Sequence, residues 1–189
     1  STFDSLPPSF ADFLLSHVVA KVAQKTEENI WKGVTANVGE FDGFVTLLTA
    51  DNTVVDVVGA AITAANVIVE MGKIVDAIPA QLYGKEDLYL YVSQSVAKAY
   101  VRALGGFAAA GLGANGTNAE GTQWYNNGAL TFDGVKIFLA NGLANNFMVA
   151  AEKSNLYFGT SLLSDNQEVK VIDMADLDGS QNVRIVMRF

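Results

Sequence analysis

The chain of 189 residues is 50% hydrophobic and 17% charged, so we expect a globular protein with a sizeable core rather than a disordered one. Cysteine is absent, which excludes disulfides and thiolate metal sites, and a formal net charge of −8 without a clustered Lys/Arg stripe argues against sequence-independent nucleic-acid binding. With no apolar run of about 18 residues and no charged-then-apolar leader, we expect neither a membrane span nor a signal peptide.

The first predicted element is one long amphipathic helix over residues 7–31. Pro7 and Pro8 prevent an earlier start, and Gly33 supplies a C-terminal stop. The apolar stripe recurs at four-residue spacing, at Phe10, Leu14, Val18 and Val22. Because it is polar around Lys21, Gln24, Lys25 and Glu27, this helix is predicted to lie on a protein surface and is too polar to span a membrane.

The centre of the chain predicts strands that alternate with helices. The run TVVDVV is β-branched, the apolar positions before Pro79 keep helical spacing, and LYLYV alternates before Ser93 caps the next helix. The predicted elements are a strand at Thr53–Val58, a helix at Thr63–Ile78, a strand at Leu88–Val92 and a helix at Gln94–Leu104.

From Ala129 onward the sequence is rich in strand signals. Asp133-Gly134 is the strongest hairpin signal in the chain. The predicted strands are Ala129–Phe132, Val135–Leu139, Phe147–Ala151, Glu168–Asp173 and Val183–Phe189. Together with the helices before them, they predict an α+β fold.

Residues 105–128 are rich in glycine and predict a long loop. Loops of this length usually bind something or meet a neighbour. The subunit-interface candidates are Phe107, Asn115, Trp124 and Tyr125, led by the last two because large amphipathic rings on a loop are typical of contacts. Residues 111–116 match G-x-G-x-x-G, but no predicted strand precedes them and no helix follows, so an ordinary loop is favoured over a dinucleotide site.

The inventory of catalytic residue types is nearly empty. His17 is the only histidine, and Phe13 and Lys21, one turn away on either side, are not metal ligands. We therefore expect His17 to be partly buried and structural. A Cys/His dyad is impossible, and a Ser-His-Asp triad would need a histidine that lies in mid-helix. We predict a protein that is not an enzyme and that has no cofactor or metal.

The order of these pieces resembles the major capsid proteins of tailed bacteriophages, which have the Hong Kong 97-like fold. The helix ending in AKVAQKTEENIWKG is similar to the family's spine helix, and AANVIVEMGKIVDAIPAQLYGKEDLYLYVSQSVAKAYVRAL resembles the helix, strand and following helix of its A domain. The stretch GALTFDGVKIFLANGLANNFMVAAEKSNLYFGT is similar to its hairpin and next strand, and NVRIVMRF resembles the late strand that returns toward the P domain. The resemblance covers most of residues 7–189, and its specificity comes from the occurrence of these four stretches in this order.

The resemblance implies a Hong Kong 97-like fold in which residues 1–36 are a P-domain part with the spine helix, 37–165 the A domain, and 166–189 strands returning toward the P domain. It implies a structural virion protein that self-assembles into pentamers and hexamers of an icosahedral phage head, enclosing the DNA genome without binding it specifically. The implied partners are copies of the chain, with a portal, a scaffold or a maturation protease as further candidates. The implied location is the virion, assembled in the bacterial host cytoplasm.

The resemblance leaves two alternatives open. The family's N-terminal arm and extended loop, which precede the spine helix, find no counterpart in this sequence, so no cross-linking residue is carried over. One alternative function is an encapsulin-like shell protein, which houses an enzyme instead of a genome. The other is a small-molecule-binding domain that uses the Gly-rich loop 105–128.

Overall fold

The computed structural model describes residues 10–104, 130–159, 169–173 and 183–187. The helices are α1 (Phe10–Lys32), α2 (Phe44–Ala50), α3 (Val67–Asp76) and α4 (Gln94–Leu104). The strands are β1 (Leu88–Val92), β2 (Thr131–Phe132), β3 (Val135–Leu139), β4 (Met148–Glu152), β5 (Val169–Asp173) and β6 (Val183–Met187), and a short 3₁₀ helix spans Lys153–Asn155. This mixture confirms the predicted α+β class.

The chain divides into two compact units. Unit 1 comprises Ser1–Ala23 and Tyr157–Phe189, and unit 2 comprises Gln24–Leu156. The division falls within α1, so that the beginning of this helix belongs to unit 1 and its end to unit 2. The domain boundaries implied by the resemblance, after residues 36 and 165, stay predictions.

α1 is the long helix that the sequence predicts. It has 23 residues, which at about 1.5 Å per residue gives a length of roughly 35 Å. The helix ends where predicted, because Gly33 follows its last residue and the Gly33 N–H donates to the carbonyl of Asn29 at 3.0 Å. A Cβ at Gly33 would clash with the backbone carbonyl of Phe41, so only glycine fits this helix end.

His17 is exposed, and the expectation that it would be partly buried is wrong. The half-buried side of α1 follows the predicted stripe through Leu14, Val18 and Val22, and His17 lies just outside it. Its ring stacks on that of Phe13, whose side chain is also exposed, with 6.4 Å between the ring centroids.

Unit 2 is built on a four-stranded sheet in the order β2-β3-β1-β4. β1 lies in the interior, parallel to β3 and antiparallel to β4, while β2 pairs antiparallel with β3. Parallel neighbours need a crossover connection, and α4 lies in the one between β1 and β3. The predicted bounds of β1 and α4 are confirmed at both ends.

The two faces of the sheet carry different cores, because alternate residues of β1 point to opposite sides. α3 and α4 pack on the first face. Its buried residues are Val67, Met71, Val75, Leu88, Leu90, Val92, Val96, Ala97, Ala99, Tyr100, Val135 and Ile137. Burial raises the pKa of the Tyr100 hydroxyl, which stays protonated and donates to the carbonyl of Thr131 at 2.8 Å.

The opposite face is covered by the end of α1 and by α2. Trp31 is buried there, with its ring centroid 5.3 Å from that of Tyr91 and 5.5 Å from that of Phe44. Aromatic pairs at this separation add to the stabilisation from buried area. The turn after β3 completes this core with Ala140 and Leu143.

The predicted β-hairpin is confirmed. Asp133 and Gly134 link β2 to β3 with φ angles of 45° and 79°. Positive φ at both central residues is typical of a type I′ turn, whose twist matches that of the flanking strands. The hydroxyl of Tyr83 donates to the carbonyl of Asp133 at 2.8 Å and holds the turn in place.

Two predictions in the first half of unit 2 are wrong. Residues 53–58 are not a strand, because no strand in the described part of the chain lies beside them. α3 spans Val67–Asp76 instead of Thr63–Ile78. Residues 64–66 form a turn before it, in which the backbone N–H of Thr63 donates to the side-chain carbonyl of Asn66 at 2.7 Å.

Unit 1 contains the antiparallel pair β5–β6. Val169 lies opposite Met187 and Asp173 opposite Val183. This confirms the two last strands that the sequence predicts, with a connection that includes Asp178-Gly179.

Candidate assembly surface

The four interface residues that the sequence predicts, Phe107, Asn115, Trp124 and Tyr125, lie outside the described residues, as does the whole of the Gly-rich loop 105–128. Their role in subunit contacts stays a prediction. The described part of unit 2 offers a different candidate surface, formed by residues 33–59.

Residues 33–43 form a loop that is held by the carboxylate of Glu40. Glu40 Oε1 accepts from Lys25 Nζ at 2.8 Å, and its Oε2 accepts from Asn37 Nδ2 at 3.0 Å and from the Val34 N–H at 3.3 Å. These donors, first the Asn37 amide and then the Lys25 ammonium, lower the pKa of Glu40 to about 2. The loop is therefore fixed to α1 by a carboxylate that is ionised at neutral pH, while Val38 is fully exposed.

A second carboxylate supports the same loop. Asp42 Oδ1 accepts from the backbone N–H of Thr35 at 2.8 Å, a bond that lowers the pKa of Asp42. At the base of the loop the Gly33 carbonyl accepts from the Gly43 N–H at 2.9 Å and from Thr46 Oγ1 at 2.7 Å, which joins the loop to the start of α2.

Residues 53–59, which we call the valine segment, follow α2 without regular structure. Asp51 anchors its beginning, since Asp51 Oδ1 accepts from the N–H and the hydroxyl of Thr53 at 2.8 and 2.7 Å. Glu70 anchors the residue after its end, because this buried carboxylate accepts from the Ala60 N–H at 3.1 Å and from Lys73 Nζ at 2.8 Å. The segment thus begins in a local turn, and the residue after its end is bonded to α3.

Large apolar side chains are exposed along this surface. Seven lie between residues 34 and 58: Val34, Val38, Phe41, Leu47, Val54, Val55 and Val58. Scattered apolar residues are normal on protein surfaces, but a run of this density along one stretch makes residues 33–59 a candidate for contact with another protein.

The described residues also bear on metal binding, on surface depressions and on the membrane. They contain no group of three or more His, Cys, Asp or Glu side chains arranged to hold a metal ion. Among the depressions of the described surface, one of about 560 Å³ lies at the start of α4, where Ser95, Lys98 and Arg102 line an open hollow. None of the helices in the described part of the chain combines the length and apolar content that crossing a bilayer requires.

Sequence reasoning missed the surface at residues 33–59 and assigned the interface to the Gly-rich loop alone. The sequence did contain a signal against a buried strand in TVVDVV. A strand buried on both faces is apolar throughout, whereas here Asp56 interrupts the valines and Asn52 and Gly59 flank them. The chain matches no protein-family model, no curated protein and no solved structure.

Proposed function

We propose that the chain is a structural subunit of a tailed-phage head with the Hong Kong 97-like fold. Copies of it assemble into pentamers and hexamers that form an icosahedral shell around the DNA genome, which the shell encloses without specific binding. The proposal gives the protein a portal, a scaffold or a maturation protease as further partners. It locates the protein in the virion, after assembly in the cytoplasm of the bacterial host.

The observation that carries the proposal is the exposed apolar surface of residues 33–59. Its loop is held by hydrogen bonds, so its valines are presented to solvent by an ordered stretch of chain. Covering a fully exposed side chain such as that of Val38 contributes about 1.5–3 kcal/mol. Several such side chains together favour association, which the net charge of −8 opposes. A subunit that is buried by its neighbours has this kind of surface.

The order of the elements supports the finer fold. Among the described elements a helix of 23 residues comes first, and the short α2 follows it. A helix, a strand, another helix, a hairpin and a further strand then follow in unit 2. This is the order on which the resemblance to the capsid proteins rests. The pair β5–β6 in unit 1 comes last in the chain, as do the strands that return toward the P domain in the capsid proteins.

The test is to express the complete gene alone and to examine the purified protein by size-exclusion chromatography and negative-stain electron microscopy. We expect hollow particles of uniform size. A single monomer peak at every protein and salt concentration would contradict the proposal.

The contents of the particles distinguish the two kinds of shell. Particles isolated from the native source that contain DNA support the phage head, whereas particles that contain an enzyme favour the encapsulin-like alternative. If the protein stays monomeric, a thermal-shift screen with nucleotides tests the small-molecule alternative, since a ligand that binds the folded state raises the melting temperature.

A further inference from the structure

Among the described residues β4 is an edge strand, and one side of its backbone has no partner there. The Ser93 N–H donates to the Phe147 carbonyl at 3.1 Å, and the Lys153 N–H donates to the Asp87 carbonyl at 2.9 Å. Antiparallel partners alternate between bonded and non-bonded pairs, so the odd-numbered residues 147–153 bond to β1. The even-numbered residues direct their N–H and C=O groups away from β1, and no described backbone pairs with them: Met148, Ala150 and Glu152.

The valine segment contains a stretch of backbone that lacks a described partner. Between its two anchors, residues 55–59 make no backbone hydrogen bond with any described residue. Val55 is 61% and Val58 86% exposed, although β-branched residues are the ones that strands prefer. An unpaired stretch of this composition is suited to join the edge of a sheet.

We infer that residues 55–59 of one copy add as a fifth strand to the β4 edge of a second copy. Both stretches have five residues. The exposed Lys153 just after β4, whose charge also acts on Asp87, supplies a cation for Asp56, the single charge among residues 55–59. Glu152 on β4 is already paired with Lys85 at 2.6 Å. The inference rests on the proposed function in taking a second copy of the chain as the partner.

The geometry of this contact suits a ring. Each copy offers one strand and one edge from different parts of unit 2, so the contact is heterologous and runs head to tail. Repetition of a heterologous contact closes into a ring when the rotation between copies permits it. The contact therefore specifies which surfaces join neighbours in the proposed pentamers and hexamers.

Proline substitutions test the pairing. In the monomer neither the Val57 N–H nor the Ala150 N–H has a described partner, and proline is tolerated on edge strands where the N–H faces solvent. In the Val57→Pro protein the β4 edge is unchanged, but residues 55–59 can no longer pair with the β4 edge of another copy. This protein is therefore used to bind the peptide. The ligand is a fluorescent peptide of residues 53–60, and the same peptide with Val57→Pro is the matched control.

We expect the peptide to bind the Val57→Pro protein and the control peptide to bind at least tenfold more weakly, equivalent to about 1.4 kcal/mol. The double variant Val57→Pro/Ala150→Pro, with an unchanged circular dichroism spectrum, should lose peptide binding to the same degree. Equal binding of the two peptides, or no binding of either, overturns the inference. A second measurement needs no variant. The native peptide is added in excess to the wild-type protein, and it should shift assembled protein toward smaller species.

The outcomes separate this contact from the proposed function. Shells that persist unchanged in the Val57→Pro protein, together with a peptide that does not bind, refute the contact and leave the shell function standing. A wild-type protein that stays monomeric but binds the peptide supports the contact and contradicts the shell function.

Discussion

Replacing Gly142 by alanine tests how closely the turn after β3 approaches the end of α1. A Cβ at this position would clash with the carbonyl oxygen of Glu27, and it would lie 2.8 Å from the carbonyl carbon of Glu27 and from Trp31 Cδ1. The Asn141 N–H also donates to Glu27 Oε1 at 3.1 Å, so the turn cannot move away without weakening that bond. Since φ at Gly142 is not in the left-handed region, the cost comes from the contact and not from backbone strain.

The expected magnitude follows from overpacking against backbone. Adding a methyl group to a tightly packed site costs about 1–3 kcal/mol. For a chain of this size, each kcal/mol shifts the melting temperature by about 2–4 °C, so Gly142→Ala should lower it by roughly 2–12 °C. Gly72→Ala is the matched control, because a Cβ at Gly72 in α3 meets nothing within 4 Å. Alanine is favoured over glycine inside a helix by about 0.5–1 kcal/mol, so this variant should melt slightly higher.

Both variants are measured by differential scanning calorimetry in the same buffer. Opposite signs for two Gly→Ala changes cannot arise from a general effect of the added methyl group. If Gly142→Ala melted at or above the wild-type temperature while Gly72→Ala behaved as expected, the close approach of the turn to α1 would be refuted.

Three further outcomes are expected. Leu90→Ala, in the fully buried centre of β1, should lower the free energy of unfolding by about 2–5 kcal/mol in a urea titration, and a loss below about 1 kcal/mol would mean that the core collapses around the site. Hydrogen bonds, first that from Asn37, lower the folded-state pKa of Glu40 to about 2. The stability advantage of the wild type over Glu40→Gln should therefore be present at neutral pH and disappear as the pH falls from about 4.5 through about 2. Urea midpoints at several pH values check this, and an advantage that persists at the lowest pH would contradict it. Replacing Trp124 and Tyr125 by alanine should shift the protein toward smaller species in size-exclusion chromatography, whereas unchanged assembly would exclude these residues from the subunit contact.

Local patterns predict those elements whose partners agree with their intrinsic preferences. β1 and α4 have the predicted bounds because alternation in LYLYV and the helical spacing after Ser93 coincide with buried positions of one core. The turn at Asp133-Gly134 follows from the two residues alone.

The prediction fails where the outcome depends on something distant in the sequence. The strand preference of residues 53–58 is satisfied only beside another strand, and none in the described part of the chain is there. A different failure is local: α3 starts only after a turn in which the Thr63 N–H donates to the side chain of Asn66, a contact that periodicity does not register. The surface of residues 33–59 depends on Glu40 and Glu70, whose hydrogen-bond donors lie up to 15 residues away.

The interior position of β1 has a consequence for synthesis. Both neighbours of β1 come later in the chain, and the second of them, β4, is complete only roughly 60 residues after β1 ends. At about 5–20 residues per second, a ribosome needs on the order of 3–12 s to supply that strand. For most of this interval, until β3 is complete at Leu139, β1 has no strand partner, although it carries two tyrosines and three aliphatic side chains. Aggregation on polysomes, and the demand for nascent-chain chaperones, should therefore peak between the emergence of Val92 and that of Leu139.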